Sequence, residues 1–317
     1  MLIKPAHLEI GDTLGIIAPA SAPPDAGNID RAAQAVEALG FKPRLAPNAR
    51  KRLGFLAGSD RDRASDLMRM FADPAVKGII CVRGGYGTAR LLPRLDYGLI
   101  KRNPKVFIGY SDITSLHCAF LRKARLVSFH GPMLNSDFIK PACPNFTVQS
   151  LRRTVMIPRP PASIGQGRRS HTVRTLRAGT ASGPLIGGNI SILCASLGTP
   201  FEPPFRNAIL FFEDLDEAPY RFDRMLTQLL NGGRLQKVAG IAIGMNKHCK
   251  DPRATKSTEY RQTLEDVFKE RLLPLRVPVV SGLPFGHVAA NATLPIGVRA
   301  TLDGDAGDLL INETAVI

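Results

Sequence analysis

Four short, uninterrupted apolar runs constrain the fold of this chain more than any other feature. They are Thr13–Ala18, Gly78–Val82, Val106–Tyr110 and Leu126–Phe129. Each is too short for a buried helix and apolar at successive positions, as a strand covered on both faces must be. Helical patterns lie between them. Ile29–Leu39 ends at Gly40, Ala64–Phe71 follows a capping box in Ser59-Asp60-Arg61-Asp62, and Ile113–Arg122 follows the third run. Buried strands alternating with helices predict a parallel sheet with helices on both faces. Ligands bind such sheets at the C-terminal ends of the strands. That places three loops at a site: Pro19-Ala20-Ser21, Arg83–Gly87 and Gly109–Asp112.

The expected fold class is α/β. Residues 1–138 form a flavodoxin- or Rossmann-like parallel-sheet domain. Residues 139–182, rich in Pro, Gly and Arg, read as a basic linker. Residues 183–317 form a second α/β domain. It holds strands at Ala208–Phe212 and Val238–Ile243, and helices at Tyr220–Leu230 and Glu259–Leu273. A β-hairpin is expected from Leu294–Leu302 and Asp308–Asn312. Asn246–Thr258 reads as a polar inserted loop. The length of 317 residues suits two domains.

No apolar run reaches the roughly 18 residues that would span a membrane. Leu14–Ala18 lies behind Glu9 and Asp12 and is interrupted by Pro19, so it reads as a strand rather than a signal segment. The five cysteines form no C-x-x-C pair and sit mostly among apolar residues, which points to free thiols in the cytoplasm. The net charge is +15, and Ile139–Phe201 contains eight Lys and Arg but no Asp or Glu. No aromatic residues interleave those arginines, so a nucleic-acid stacking surface is not expected. A solvated basic surface is the simpler reading.

Within the third strand exit, Gly109-Tyr110-Ser111-Asp112 reads as strand, sharp turn and helix. A serine there is presented beside free N–H groups at a helix N-terminus, although the second glycine of G-x-S-x-G is missing. Alternatively, Ser111 or Asp112 merely caps the helix. A nucleophile needs a base and an orienting carboxylate. His287, after Gly286 at a strand exit, and His130, at the end of another strand, are the candidate bases. His117 lies on the same helix as Ser111 but not on the same face. Glu213 or Asp214 ends the strand Ala208–Phe212 and could supply the carboxylate, while Asp214 could instead cap the following helix. Gly85-Tyr86-Gly87-Thr88-Ala89-Arg90 departs from the dinucleotide fingerprint at its last position, and no P-loop is present. The Gly85 N–H suits a bound anion instead.

Five motifs in one order add to this. They are Arg83-Gly84-Gly85-Tyr86-Gly87, Gly109-Tyr110-Ser111-Asp112, Gly183–Asn189, Glu213-Asp214 with Pro219–Leu226, and Gly286-His287. Together they resemble the LD-carboxypeptidase family of serine peptidases, which includes muramoyltetrapeptide carboxypeptidases and microcin C7 self-immunity peptidases. The resemblance implies Ser111 as nucleophile, His287 as base, Glu213 as its orienting acid, and backbone N–H groups of Gly85 and Asp112 as the oxyanion hole. It implies release of a terminal D-amino acid from an L-centre, no metal or cofactor, and a homodimer. Arg83 is placed to meet a substrate carboxylate, or to pair with a carboxylate at the domain boundary. The other readings are a microcin-type peptidyl-nucleotide hydrolase and a non-catalytic basic protein that binds cell-wall fragments or polyanions.

Overall fold

The computed structural model describes residues 1–164, 173–250 and 262–317. Arg168, Arg169, His171 and most of the expected 246–258 loop lie outside them. Five parallel strands form the first sheet: β1 (Thr13–Ile17), β2 (Lys42–Leu45), β3 (Val76–Cys81), β4 (Val106–Gly109) and β5 (Ser128–His130). Helices α1 (Asn28–Ala38), α2 (Asp60–Ala72), α3 (Tyr97–Arg102) and α4 (Thr114–Ala119) connect them. Every residue of β4 and β5 is buried, as uninterrupted apolar runs require. The expected capping box is present: Ser59 Oγ accepts from Asp62 N–H while the Asp62 carboxylate accepts from Ser59 N–H. β2 was not expected. Its sequence Lys-Pro-Arg-Leu alternates exposed and half-buried positions, because it is an edge strand.

Residues 139–182 are more than a tether. They hold α5 (Asn145–Val155), β6 (Ala162–Ser163), β7 (Arg174–Arg177) and the start of β8 (Thr180–Asn189). The buried face of α5 is Thr147, Ser150, Leu151, Thr154 and Val155. Its half-polar character conceals a helical stripe within a Pro- and Arg-rich stretch. α6 (Ile190–Ala195), β9 (Ile209–Glu213), α7 (Pro219–Asn231), β10 (Gly240–Gly244), α8 (Leu264–Leu272) and β11 (Val279–Leu283) follow.

β12 (Leu294–Ile296), β13 (Arg299–Asp303) and β14 (Asp308–Ile311) complete the chain. The expected hairpin forms between β13 and β14. Its predicted first strand, however, breaks at Gly297, whose φ is +97°. The piece before the break, β12, crosses to the first sheet and pairs antiparallel with β5, Leu294 opposite His130. The second sheet runs β6-β14-β13-β8-β9-β10-β11-β7. It curls, since Gly304 N–H in the β13–β14 turn donates to Gly179 O at 2.8 Å and Thr175 Oγ donates back to Gly304 O at 2.6 Å. Among the described residues no helix is long and apolar enough to cross a membrane.

The two sheets meet where β8 ends against α4. Gly187 has φ +154°, and a Cβ there would sit 1.8 Å from Phe211 O on β9. A Cβ on Gly188 would sit 2.4 Å from Thr114 Oγ on α4, and Asn189 N–H donates to that same oxygen at 3.0 Å. Because the Gly187 neighbour is backbone, it cannot swing away. Gly187→Ala is expected to destabilise the protein by about 3 kcal/mol or more, seen as a lower urea midpoint at unchanged slope.

Candidate active site

β4 delivers its last residues into a strained turn. Tyr110 is extended at φ −146°, and Ser111 then adopts φ +65°. A left-handed non-glycine residue costs about 1–2 kcal/mol and is held only where the surroundings enforce it. Here Gly84 enforces it by proximity: a Cβ on Gly84 would lie 3.0 Å from Ser111 Cβ and 3.2 Å from both Ser111 Oγ and Asp112 N. Any side chain at Gly84 would press on the serine. Neither Ser111 nor Asp112 caps the helix that follows. The capping alternative is therefore not what the turn is built for. The buried Asp112 carboxylate accepts from Thr88 N–H at 2.9 Å, and Thr88 Oγ donates to Asp112 O at 2.5 Å. Burial raises the Asp112 carboxyl pKa against the Thr88 hydrogen bonds.

Those bonds tie the serine turn to the Gly85–Gly87 loop. Gly85 has φ +114° and packs on Ser21, whose Oγ accepts from Tyr86 N–H at 3.1 Å. The Gly85 N–H has no partner among the described residues. Arg63, 2% exposed, joins two of the strand-end loops to the start of α2. Its guanidinium donates to Pro19 O at 2.5 Å, to Gly87 O at 2.9 Å and to Asp60 Oδ1 at 2.5 Å. Arg63 did not stand out in the sequence, and Gly84 and Thr88 appeared there only as members of longer motifs. A charged residue on a helix between polar neighbours reads as solvated unless the loops it reaches are known.

The second sheet brings the other groups. Glu213 closes β9 and is fully buried, with Oε2 at 2.6 Å from His287 Nδ1. Gly286, at φ +109°, allows this approach, since a Cβ there would lie 2.7 Å from the Glu213 carboxylate. Burial works against a charged His287 ring, but the Glu213 charge and hydrogen bond outweigh it and hold the pKa above the usual 6.5. α5 braces the loop beyond: Thr147 Oγ donates to Ala289 O at 2.7 Å and accepts from Asn291 N–H at 3.0 Å, while Ser150 Oγ accepts from Thr293 N–H at 3.0 Å. Asp214 faces elsewhere, accepting from Asn189 Nδ2 at 2.7 Å and Ser191 Oγ at 2.6 Å.

His130 and His117 are not hydrogen-bonded to the pair. His130 is fully buried among Tyr110, Phe211 and Phe285, and neither ring nitrogen has a hydrogen-bond partner. His117 binds Ser128 Oγ and Gly109 O, each at 2.8 Å, and braces the end of β4. His287 packs edge-on against Tyr110, the residue before Ser111, with ring centroids 4.9 Å apart. Arg83, Gly85, Ser111, Asp112 and His287 all line one cleft of about 680 Å³.

A serine on a strained strand-to-helix turn, sharing a cleft with an imidazole held by a buried carboxylate, is the equipment of a serine hydrolase. Residues 14–131 match the LD-carboxypeptidase N-terminal domain, and residues 182–302 match the LD-carboxypeptidase C-terminal domain. The chain belongs to the LD-carboxypeptidase family and is a serine carboxypeptidase. It is 39% identical to a probable murein peptide carboxypeptidase of Bacillus subtilis, over 95% of this chain and 91% of that one. A muramoyltetrapeptide carboxypeptidase structure from Oxalobacter formigenes superimposes with TM-score 0.83 at 33% identity, covering 95% of this chain and 99% of the other. The microcin C7 self-immunity protein bound to aspartyl sulfamoyl adenosine gives TM-score 0.88 at 26% identity, covering 99% and 100%.

Arg63→Met would leave the Pro19 and Gly87 carbonyls without their buried donor. It is expected to cost about 3–5 kcal/mol, the penalty for breaking a buried charged network, measured as a fall in the chemical-denaturation midpoint.

Proposed function

We propose that the protein hydrolyses the amide between the L-centre of meso-diaminopimelate and the terminal D-alanine in L-Ala-D-Glu-meso-diaminopimelate-D-Ala. The observation that carries this is the 2.6 Å contact between His287 Nδ1 and Glu213 Oε2 in the cleft that Ser111 lines. On this reading Ser111 Oγ attacks the scissile carbonyl while His287 Nε2 takes its proton. Glu213 fixes the tautomer and stabilises the imidazolium. The oxyanion is received by the N–H groups of Gly85 and Asp112, the first supported by its lack of another partner. His287 returns the proton to the departing D-alanine amine. It then activates the water that releases the tripeptide. Arg83, half-buried and without a carboxylate partner among the described residues, suits a substrate carboxylate.

The names of the murein-directed relatives support the tetrapeptide over a peptidyl-nucleotide. The same reading puts the protein in the cytoplasm as a homodimer acting on released wall peptides. Its five free cysteines suit a reducing compartment. Light scattering of the purified chain tests the dimer.

Incubation with the tetrapeptide should release D-alanine, detected by mass spectrometry, and Ser111→Ala should release none above background. Equal release by the variant would rule out Ser111 as nucleophile.

His287 must be neutral to act as base, and its folded pKa is raised. Activity should therefore fall as pH drops through a value above 6.5, read as the acid limb of kcat/KM. Glu213→Gln removes the charge that raises that pKa. Its limb should move to lower pH, and kcat should fall by roughly 10²–10⁴-fold. An unmoved limb would count against the pair.

A further inference from the structure

Resting on that reading of function, we propose that Asp137 and Lys140 form the receptor for the zwitterionic D-centre at the far end of the diaminopimelate side chain. The carboxylate takes the free ammonium and the lysine takes the free carboxylate.

Both residues line the cleft with Ser111 and His287. Both lie on a segment held by the end of β3 and by α1, and braced by one bond within itself. Asn135 N–H donates to Val82 O at 2.8 Å, Asn28 Nδ2 donates to Asn135 Oδ1 at 2.5 Å, and Met133 N–H donates to Asp137 Oδ2 at 2.9 Å. Leu134–Phe138 is a single π-helical turn, a form often found at functional sites. Tyr110, the residue packed edge-on against His287, lines the same cleft as Asp137. The acid and the imidazole thus share the cleft with one tyrosine. That suits a group joined to the reacting centre by a short methylene chain.

Charge pairing in the cleft supports the same assignment. Asp137 is 7% exposed and has no cation within ion-pair distance among the described residues. Of the other acids of the cleft, Glu217 pairs with Arg221 at 3.3 Å, while Asp112 accepts from Thr88 and Asp214 from Asn189 and Ser191, as Asp137 accepts from Met133. Three cations there, Arg83, Lys140 and Lys247, have no carboxylate partner among the described residues. The tetrapeptide presents the complement. It carries free carboxylates on D-Glu, on the D-centre of diaminopimelate and on D-Ala, and one side-chain ammonium. A buried carboxylate with no cation in contact is costly, and burial pushes the Asp137 carboxyl up to about 6 against the opposing pull of the Met133 N–H and the Lys140 charge. A bound ammonium would remove that cost. Lys140 follows Asp137 by one turn, with its N–H on Asp137 O at 3.3 Å, so the two heads flank the same stretch of cleft.

The test uses the full chain and tetrapeptides that differ only at the third residue. One carries meso-diaminopimelate, one L-2-aminopimelate, which keeps the far carboxylate and lacks the ammonium, and one L-lysine, which keeps the ammonium and lacks the carboxylate. The wild-type protein is expected to favour the first over each of the others in kcat/KM. Asp137→Asn should shrink the preference over the aminopimelate peptide by about 10-fold or more, through KM. Lys140→Met should shrink the preference over the lysine peptide instead. A purely structural role would lower all three rates together and leave the ratios intact, which would overturn the proposal. So would a wild-type protein that cleaves the three peptides alike, although the hydrolase reading would then stand. Release from none of them would overturn both.

Discussion

The close approach of β8 to α4 is the contact on which the site depends. Ser111 is carried by the first sheet and Glu213 and His287 by the second, so the distance between sheets sets the distance between serine and imidazole. Gly187 lies against the Phe211 carbonyl and Gly188 against Thr114, at separations that leave no room for a Cβ. Asn189 then bonds Thr114. Thr114 belongs to the helix launched by the serine turn, and Phe211 lies on the strand that ends at Glu213. One short stretch of backbone thereby references both halves of the site to each other. Packing of this kind resists shear, because backbone cannot rotate away as a long side chain can.

Two further clasps act in the same sense. β12 leaves the C-terminal half to extend the first sheet, and α5 uses Thr147 and Ser150 to hold the residues that follow His287. The Ala289–Thr293 end of this loop is consequently fixed to α5 and β12, while its Gly286 end follows β11 of the second sheet. The imidazole is then aimed by Glu213 rather than by loop packing alone. Placing the base on a loop anchored this way reconciles mobility of surface segments with the tight tolerance that proton transfer requires.

The parts of this arrangement that were legible in the sequence share a physical property: their signal is local. β1, β3, β4 and β5 are buried on both faces and so read as apolar runs. Ser59-Asp60-Arg61-Asp62 carries its cap within four residues, and Ser111 and His287 sit at strand exits. What was not legible depends on distant partners. β2 is an edge strand with a proline. The buried stripe of α5 contains Thr and Ser, because those hydroxyls serve a loop far along the chain. Arg63 looks like a solvent-facing residue until the carbonyls of Pro19 and Gly87 arrive around it. β12 differs from the start of a hairpin only through the positive φ of Gly297. Choosing between His130 and His287 required the family resemblance, since both end strands, and the structure supplies the reason for the difference.

That reason is the counter-charge. His117, His130 and His287 lie within one neighbourhood, and all three lose solvent. Burial drives His117 down to about 4 and His130 well below its ordinary value, so both stay neutral. His287 alone faces a buried carboxylate, and alone moves upward. Glu213 is itself stripped of water, and one of its oxygens, Oε1, has no hydrogen-bond partner. Its interaction with the ring is therefore less shared than a solvated carboxylate's would be. Two neutral histidines beside one poised histidine keep further positive charge away from the imidazolium that the proposed mechanism forms. Removing Glu213 would make His287 resemble its neighbours: buried, neutral and weakly basic.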